Sequence, residues 1–260
     1  MLGAIAGDIV GSVYEWQGTK IKDFRLFCAD SRFTDDTVLT LATADAIMTD
    51  GDYRTQYQRW GRAFPNAGYG EAFAKWTFSA LGASYYSYGN GSAMRVSPVG
   101  FAFDTESEVL AEAKRSAEVT HNHPEGIKGA QATALAIFMA RSGADKAAIK
   151  NEIARRFEYD LDRTLEEIRP HYCFDITCQG SVPESILAFL ESDSYEDAVR
   201  NAISLGGDAD TQACIAGAIA EAFHGRDSIP EEIAQETLAR LIPEMRDVLR
   251  RFDKFCKARK

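Results

Sequence analysis

Helical periodicity runs through most of the chain, and no stretch alternates apolar and polar residues for long enough to demand a β-strand. Several segments also carry signals for the start of a helix. Thr105-x-x-Glu108 has the pattern of a capping box, and Ser194 with Asp197 opens another periodic segment in the same way. Three prolines each suit a first helical turn, namely Pro183, Pro230 and Pro243. These features together predict an all-α fold.

Size and charge narrow the class of protein. The 260 residues, 45% of them hydrophobic, supply one large core, and no linker divides them, so we expect one compact domain over residues 1–260. The net charge of -10 opposes general attraction to nucleic acid or to an anionic membrane. The N-terminus lacks the basic leader of a secretory signal, and the longest apolar stretch, within Ala132–Ala140, is too short to span a membrane. We therefore expect a cytoplasmic protein without membrane contact, with a monomer as the default.

Small residues recur at helical spacing near both ends of the chain. Gly3, Gly7 and Gly11 follow one another at i+4, and so do Ala213 and Gly217. A glycine inside a helix costs about 1 kcal/mol relative to alanine, so its repeated use indicates close helix packing. The sequence does not identify the partner of either stripe.

One long region, residues 82 to 98, has no helical period. Loops of this length in compact domains are usually functional or disordered, and its aromatic residues argue against disorder. Within it, Gly89-Asn90-Gly91-Ser92 offers backbone N–H groups and a hydroxyl suited to a phosphate. Its tyrosines could stack on a base or simply pack.

Acidic residues cluster at two predicted helix starts. Thr34-Asp35-Asp36-Thr37 precedes one apolar-periodic run, and Asp208-Ala209-Asp210-Thr211 precedes another. N-capping explains either motif alone, since acidic groups at a helix start contribute about 0.3–1 kcal/mol each. Four aspartates exceed what two caps need. If the two starts lie side by side, their carboxylates need counterions, and Mg²⁺ or Mn²⁺ suits such oxygen ligands.

Other polar residues leave more than one interpretation open. For Asp8 we favour a structural role as a hydrogen-bonded carboxylate, whereas a structural and a functional role are about equally expected for Glu15. Glu15 leads into a polar stretch, residues 16–33, which could form a mobile lid. His121 and His123 lie between two helices, where they could contact a ligand or cap helix ends. The four histidines show no zinc or di-iron pattern.

Several separated motifs together resemble the ADP-ribosylglycohydrolase family. They run, in chain order, GAIAGDIVGSVYE, FTDDTVLTLATADAIM, YGNGSAMRVSPVG, THNHPEGIKGAQATALAI and SLGGDADTQACIAGAIAEAFHG. The resemblance spans Leu2 to Gly225 and implies an all-α orthogonal multi-helix fold with a binuclear magnesium or manganese site. It also implies hydrolysis of the glycosidic bond that joins ADP-ribose to an acceptor.

The resemblance assigns roles to individual residues. The implied metal ligands are Thr34, Asp35, Asp36, Asp208, Asp210 and Thr211. Glu15 matches an acidic lid residue of the family. The residues implied to hold the diphosphate and line the cleft are Gly89, Asn90, Gly91, Ser92 and His121. Ala209 stands where threonine or serine is common in the second metal motif, but its side chain need not ligate.

As a mechanistic hypothesis, two ions hold the hydroxyls of the distal ribose while Asp36 or Asp210 accepts a proton from the attacking water. Glu15 would then assist the leaving group. The substrate would be an ADP-ribosylated protein and the product ADP-ribose. Modified arginine is weakly preferred, from similarity to dinitrogenase reductase-activating glycohydrolases among the ADP-ribosyl-acceptor hydrolases; serine and nucleic-acid acceptors stay open. The alternatives are a metal-dependent hydrolase of a nucleotide diphosphate and a non-catalytic ADP-ribose-binding protein.

Overall fold

A computed structural model describes residues 1–259, and these form fifteen α-helices and one short 3₁₀ helix, Arg226–Ser228. The helices are, in chain order, α1 (Leu2–Gly11), α2 (Asp35–Met48), α3 (Tyr53–Ala63), α4 (Glu71–Thr77), α5 (Gly91–Met94), α6 (Ser97–Ala102), α7 (Glu106–Glu118), α8 (Pro124–Arg141), α9 (Lys146–Phe157), α10 (Leu165–Ile168), α11 (Cys178–Leu190), α12 (Tyr195–Ile203), α13 (Ala209–His224), α14 (Glu231–Arg240) and α15 (Pro243–Ala258). Within the described residues the only β pairing is an isolated bridge between Gly89 and Thr177. The prediction of an all-α fold is confirmed.

Helices α1 and α13 pack closely through the two stripes of small residues. A Cβ added at Gly7 would lie 2.1 Å from the carbonyl oxygen of Ala213, and one added at Gly3 would lie 2.5 Å from that of Gly217. Near the other end of α1, a Cβ at Gly11 would lie 2.5 Å from the Cα of Asp210. The stripes are therefore each other's partners, and their contact sets the end of α1 against the acidic start of α13.

Helix α13 lies at the centre of the fold. Besides α1, it packs against α8, α11 and α12, while α2 packs against α3 and α15. Fourteen residues of α13 are buried, from Ala209 to Ala222. Because α13 is covered on several sides, its first turn is held in a fixed place for the functional side chains that it carries.

The predicted helix starts are confirmed in part. Thr105 makes the full capping box with Glu108, the Ser194 side chain accepts from the backbone N–H of Asp197, and Pro243 begins α15. Pro230 directly precedes α14. The prediction for Pro183 was wrong, because this residue lies inside α11.

The earlier start of α11 explains that error. Thr177 caps the helix, and its hydroxyl oxygen accepts from the backbone N–H of Gly180 at 3.0 Å. Pro183 has no N–H to donate to the carbonyl of Gln179, so the helix continues past one missing hydrogen bond. A proline therefore marked the interior of this helix rather than its first turn.

Residues 82–98, which show no helical period in the sequence, nevertheless contain helical turns. Helix α5 (Gly91–Met94) lies inside this region, and α6 begins at Ser97. Both helices are short, at four and six residues, so they offer too few turns for a visible hydrophobic period.

Among residues 1–259 no helix is both long enough and apolar enough to cross a bilayer.

Candidate active site

The two acidic helix starts meet at one place. Thr34 is the N-cap residue of α2 and Asp208 that of α13, so the aspartates of both motifs lie in or beside a first helical turn. The hydroxyl of Thr211 donates to Asp36 Oδ2 at 3.4 Å, which joins the two motifs directly. Carboxylate oxygens of Asp8, Asp36 and Asp210 all lie within 4.8 Å of one another.

A second group of acidic side chains adjoins the first. Oxygens of Glu15, Asp208 and Asp210 also lie within 4.8 Å of one another, so Asp210 belongs to both groups. Asp208 and Asp210 are buried, whereas Glu15 and Asp35 are only partly buried. The geometry thus gives two neighbouring oxygen-rich positions with one shared carboxylate.

Asp8 holds the start of α2 in place. Its Oδ2 accepts from the backbone N–H groups of Thr34 at 3.0 Å and Thr37 at 3.1 Å. The hydroxyl of Thr34 donates to Asp8 Oδ1 at 2.6 Å, and the hydroxyl of Thr37 donates to Oδ2. The predicted hydrogen-bonded structural role fits these contacts, but sequence reasoning missed that Asp8 also belongs to the acidic cluster.

The electrostatics of the cluster call for positive charge. Burial, followed by repulsion from the Asp210 carboxylate, raises the pKa of Asp8 to about 7 and that of Asp36 well above its usual range. The same two causes raise the pKa of Asp208. Asp36 Oδ1 is buried and has no hydrogen-bond partner within residues 1–259. A buried carboxylate oxygen without a donor, among other carboxylates and threonine hydroxyls, fits a hard divalent cation.

Glu15 lies at the edge of the cluster. Burial, followed by repulsion from Asp210, raises its pKa to about 7, while the charge of Arg32 and a hydrogen bond from Trp16 act in the opposite direction. A carboxyl group with this pKa exists in both protonation states near neutral pH, as proton transfer requires.

The stretch after Glu15, predicted as a possible lid, is fastened at several points. Lys20 Nζ donates to the backbone carbonyl of Leu205 at 2.5 Å, and Lys22 pairs with Asp197 at 2.5 Å. Arg240 donates to the carbonyls of Ser31 and Cys28 further along. Between Glu15 and Lys20 no such anchor holds the backbone in the described residues, apart from a turn bond from Gly18 to Tyr14.

The glycine-containing loop lies beside the start of α13. Asn90 Nδ2 donates to Asp208 Oδ2 at 2.7 Å, and both residues are buried. The hydroxyl of Ser92 donates to the carbonyl of Gly126 at 2.6 Å. The side chains of Asn90 and Ser92 thus form hydrogen bonds within the protein. A ligand on this loop would therefore contact the backbone groups of the loop first.

The histidines and tyrosines divide into buried and exposed groups. His121 is buried, and its Nε2 lies 3.1 Å from where a Cβ of Gly91 would be. His123 caps α8, its Nδ1 accepting from the backbone N–H of Glu125. Tyr86 and Tyr88 are exposed and contact the ring of His123 edge-on. His121 and the two tyrosines therefore lie on the same side of the molecule as the glycine loop.

An exposed aromatic pair at this site was missed by sequence reasoning. Trp16 and Phe174 stack with ring centroids 5.5 Å apart and an interplanar angle of 24°. Trp16 is 78% exposed and Phe174 44% exposed, so the outer face of the stacked pair is open to solvent beside Glu15. The only sequence signal was a tryptophan directly after a candidate functional glutamate.

The fold and site together define a helical protein with a carboxylate-rich centre. The ADP-ribosylglycohydrolase family model matches residues 1–258, and the chain belongs to this family. It is accordingly a hydrolase that acts on glycosidic bonds. The family resemblance seen in the sequence is confirmed.

Named relatives and a solved structure agree with this assignment. The chain is 26% identical to ADP-ribosylhydrolase ARH3 of Danio rerio, over 98% of this chain and 90% of that protein. It is 28% identical to ADP-ribosylarginine hydrolase Tri1 of Pseudomonas putida (strain GB-1), over 89% of this chain and 71% of Tri1. A solved structure titled ADP-ribosylglycohydrolase-related protein complex superposes with a TM-score of 0.67 at 26% identity, covering 92% of this chain and 95% of that one.

Proposed function

We propose that this protein uses two Mg²⁺ or Mn²⁺ ions to hydrolyse the bond between ADP-ribose and a modified protein side chain, with arginine as the preferred acceptor. The observation that best supports this proposal is that two groups of acidic side chains share Asp210. Two divalent cations held by these groups would balance the negative charge that contributes to the raised pKa values of Asp8 and Asp36. The proposed metal ligands are Thr34, Asp35, Asp36, Asp208, Asp210 and Thr211.

The protein's own residues supply positioning and proton transfer. Divalent ions held here would polarise oxygen atoms and orient sugar hydroxyls when bound. Asp36 or Asp210 would accept the proton of an attacking water. Glu15, whose carboxylate lies beside those of Asp208 and Asp210, would donate a proton to the leaving group.

The remainder of ADP-ribose would extend over the glycine loop. The proposed contacts to the diphosphate and its neighbouring sugar are Gly89, Asn90, Gly91, Ser92 and His121. Because Asn90 donates to Asp208, binding of the diphosphate would be linked directly to the ligand set of one ion. Cations and backbone N–H groups would supply the positive field that an acidic protein otherwise lacks.

The exposed aromatic pair supports an arginine acceptor. A guanidinium group is planar and positively charged, and it stacks favourably on tryptophan. The Trp16–Phe174 pair offers such a face beside Glu15, where the bond to the acceptor would be cut. The relative Tri1 carries the name ADP-ribosylarginine hydrolase, which agrees with this choice.

Product analysis tests the proposed reaction. An ADP-ribosylarginine peptide should release ADP-ribose in the presence of magnesium, and EDTA or the double substitution Asp35→Ala/Asp36→Ala should abolish release. Asp145→Ala is the matched control, because Asp145 also caps a helix, α9, but lies outside the acidic cluster. Undiminished release without metal would contradict the metal centre, and AMP as product would indicate cleavage of the diphosphate instead.

A substrate panel tests the acceptor. We expect arginine-linked ADP-ribose to be cleaved faster than serine-linked or nucleotide-linked ADP-ribose. Trp16→Ala should raise KM for the arginine-linked substrate about tenfold, since a cation–π contact contributes up to about 2 kcal/mol, whereas Trp16→Phe should retain most of the affinity. Equal loss on all three substrates would show that Trp16 does not select the acceptor.

A further inference from the structure

Arg95 is a buried cation without an acidic partner among residues 1–259. Its side chain is fully buried, and it lies over the ring of Tyr57 at 4.2 Å. Nη2 donates to the carbonyl of Ser116 at 3.1 Å and to the hydroxyl oxygen of Thr120 at 2.8 Å. Nε and Nη1 have no hydrogen-bond partner among residues 1–259. Burying a guanidinium with so few partners costs free energy, so its hydrogen bonds to Ser116 and Thr120 need an explanation.

The contact with Thr120 fixes the direction of a hydrogen bond. An arginine side chain can donate but not accept, so Thr120 Oγ1 must be the acceptor from Arg95. A hydroxyl group has a single proton and two acceptor positions, and the other neighbours of Thr120 Oγ1 are the hydroxyl of Tyr85 and His121 Nδ1, the latter at 2.7 Å. Arg95 and the Tyr85 hydroxyl, which has its own proton to donate, fill the two acceptor positions of Thr120 Oγ1, so the Thr120 proton points to Nδ1, which must be unprotonated in order to accept it.

An unprotonated Nδ1 places the imidazole proton on Nε2. Burial, followed by the charge of Arg95, lowers the pKa of His121 well below its usual value. The ring is therefore neutral at physiological pH, with one proton, and that proton lies on Nε2.

His121 Nε2 faces the glycine loop. It lies 3.1 Å from the position that a Cβ would take at Gly91 and 3.6 Å from that at Gly89. No group within residues 1–259 accepts a hydrogen bond from it, although His121 is only 5% exposed. The two glycines leave open the space into which this nitrogen points.

We propose that Arg95 and Thr120 are positioning residues that hold His121 as the Nε2–H tautomer, so that it donates to a ligand oxygen on the Gly89–Gly91 loop. The identity of that oxygen rests on the proposed function, which makes it an oxygen of the diphosphate or of the adjoining ribose. The chain of hydrogen bonds from Arg95 through Thr120 to His121, here called the relay, is a property of the protein alone.

Nitrogen NMR tests the tautomer without any substrate. The chain has only four histidines, so the ring of His121 can be assigned with His121→Gln as reference. The wild-type spectrum should show Nδ1 unprotonated and Nε2 protonated at neutral pH. A proton on Nδ1, or a doubly protonated ring, would overturn the proposal directly.

Substitution of Thr120 tests the relay. Thr120→Val should release the fixed tautomer and give a mixture, whereas Thr120→Ser, which keeps the hydroxyl, should restore the wild-type spectrum. Thr133→Val is the matched control, because Thr133 is also buried but its hydroxyl has no partner in the described residues. A Thr120→Val spectrum identical to that of the wild type would show that Thr120 does not set the tautomer.

Binding of ADP-ribose tests the purpose of the relay. Thr120→Val should weaken binding about tenfold, the value of one hydrogen bond to a charged oxygen, and Thr120→Ser should restore it. If Thr120→Val frees the tautomer but leaves affinity unchanged, His121 is not a donor to the ligand. If the wild-type protein shows the expected tautomer but does not bind ADP-ribose, the proposed function fails and the relay stands.

Discussion

The two acidic helix starts have similar sequences but different supports. At α2, the carboxylate of Asp8 accepts four hydrogen bonds from Thr34 and Thr37, so the motif is held by another acidic residue. At α13, Asp208 makes no side-chain cap and is instead held by the amide of Asn90. The α2 start is thus fixed to α1, and the α13 start is coupled to the glycine loop.

The two kinds of support have different electrostatic consequences for the acidic cluster. Four hydrogen bonds to Asp8 hold the α2 start in place. The Asp8 carboxylate also adds negative charge to the cluster, which increases the positive charge needed to balance it. Support from Asn90 adds no charge and links Asp208 to the loop proposed to bind the diphosphate. Substitutions that act on one support or on both can therefore test whether the two starts behave as we describe.

The largest effect should follow from separating the two starts. Gly7→Ala would place a Cβ 2.1 Å from the carbonyl oxygen of Ala213, so α1 and α13 must move apart. We expect the free energy of unfolding to fall by about 3 kcal/mol and activity to be lost. Gly70→Ala is the control, since nothing lies within 4 Å of its added Cβ. Chemical denaturation measures both, and equal stability of the two variants would contradict the packing argument.

Asp8→Asn should have the next largest effect, and it acts on the α2 start alone. An amide at this position presents N–H groups to donors from Thr34 and Thr37, so the helix start would shift. Loss of an outer residue that orients metal ligands typically costs 10–100-fold in affinity, and we expect about 100-fold for Mn²⁺ here. Isothermal titration of metal-free protein measures it. Wild-type affinity in this variant would show that Asp8 does not organise the site.

Asn90→Ala should act on the α13 start with a smaller effect, about tenfold in Mn²⁺ affinity, because it removes one hydrogen bond to Asp208. Asn201→Ala removes a buried amide that donates to Ala188, and it should lower stability without changing metal affinity. A larger loss for Asn90→Ala than for Asp8→Asn would reverse the comparison of the two supports.

The smallest effect is a change of stability with pH in the metal-free protein. An unfolded aspartate has a pKa of about 3.9, whereas the pKa of folded Asp8 is about 7, as is that of Glu15. Between these values the folded state binds more protons, so stability should fall as the pH rises from about 4 to about 7. Thermal unfolding with EDTA measures this trend. Saturating Mg²⁺ should flatten it, and a metal-free stability that rises over this window would contradict the raised pKa values.

Sequence patterns predicted the helical fold well because periodicity and caps are local. They could not pair the small-residue stripes, since Gly3 and Gly7 indicate only that some backbone comes close. The pairing with Ala213 and Gly217 depends on the whole arrangement of helices. Pro183 misled for the opposite reason, because a strong local signal was overridden by the cap at Thr177.

The candidate site was predictable as a set of residue types but not as a set of contacts. Two motifs rich in aspartate indicated a metal centre, yet nothing in the sequence showed that the amide of Asn90 is used by Asp208 or the hydroxyl of Ser92 by Gly126. The stacking of Trp16 on Phe174 joins residues far apart in the chain, so only the fold reveals it.

Counting bound Mn²⁺ ions tests the central claim most directly, namely that both helix starts share one two-ion site around Asp210. Titration of the metal-free protein above pH 7, followed by electron paramagnetic resonance, should give two ions per chain. Asp210→Asn should weaken both, because this carboxylate belongs to both acidic groups. Fewer than two ions in the wild-type protein, or a variant that loses neither, would contradict the account.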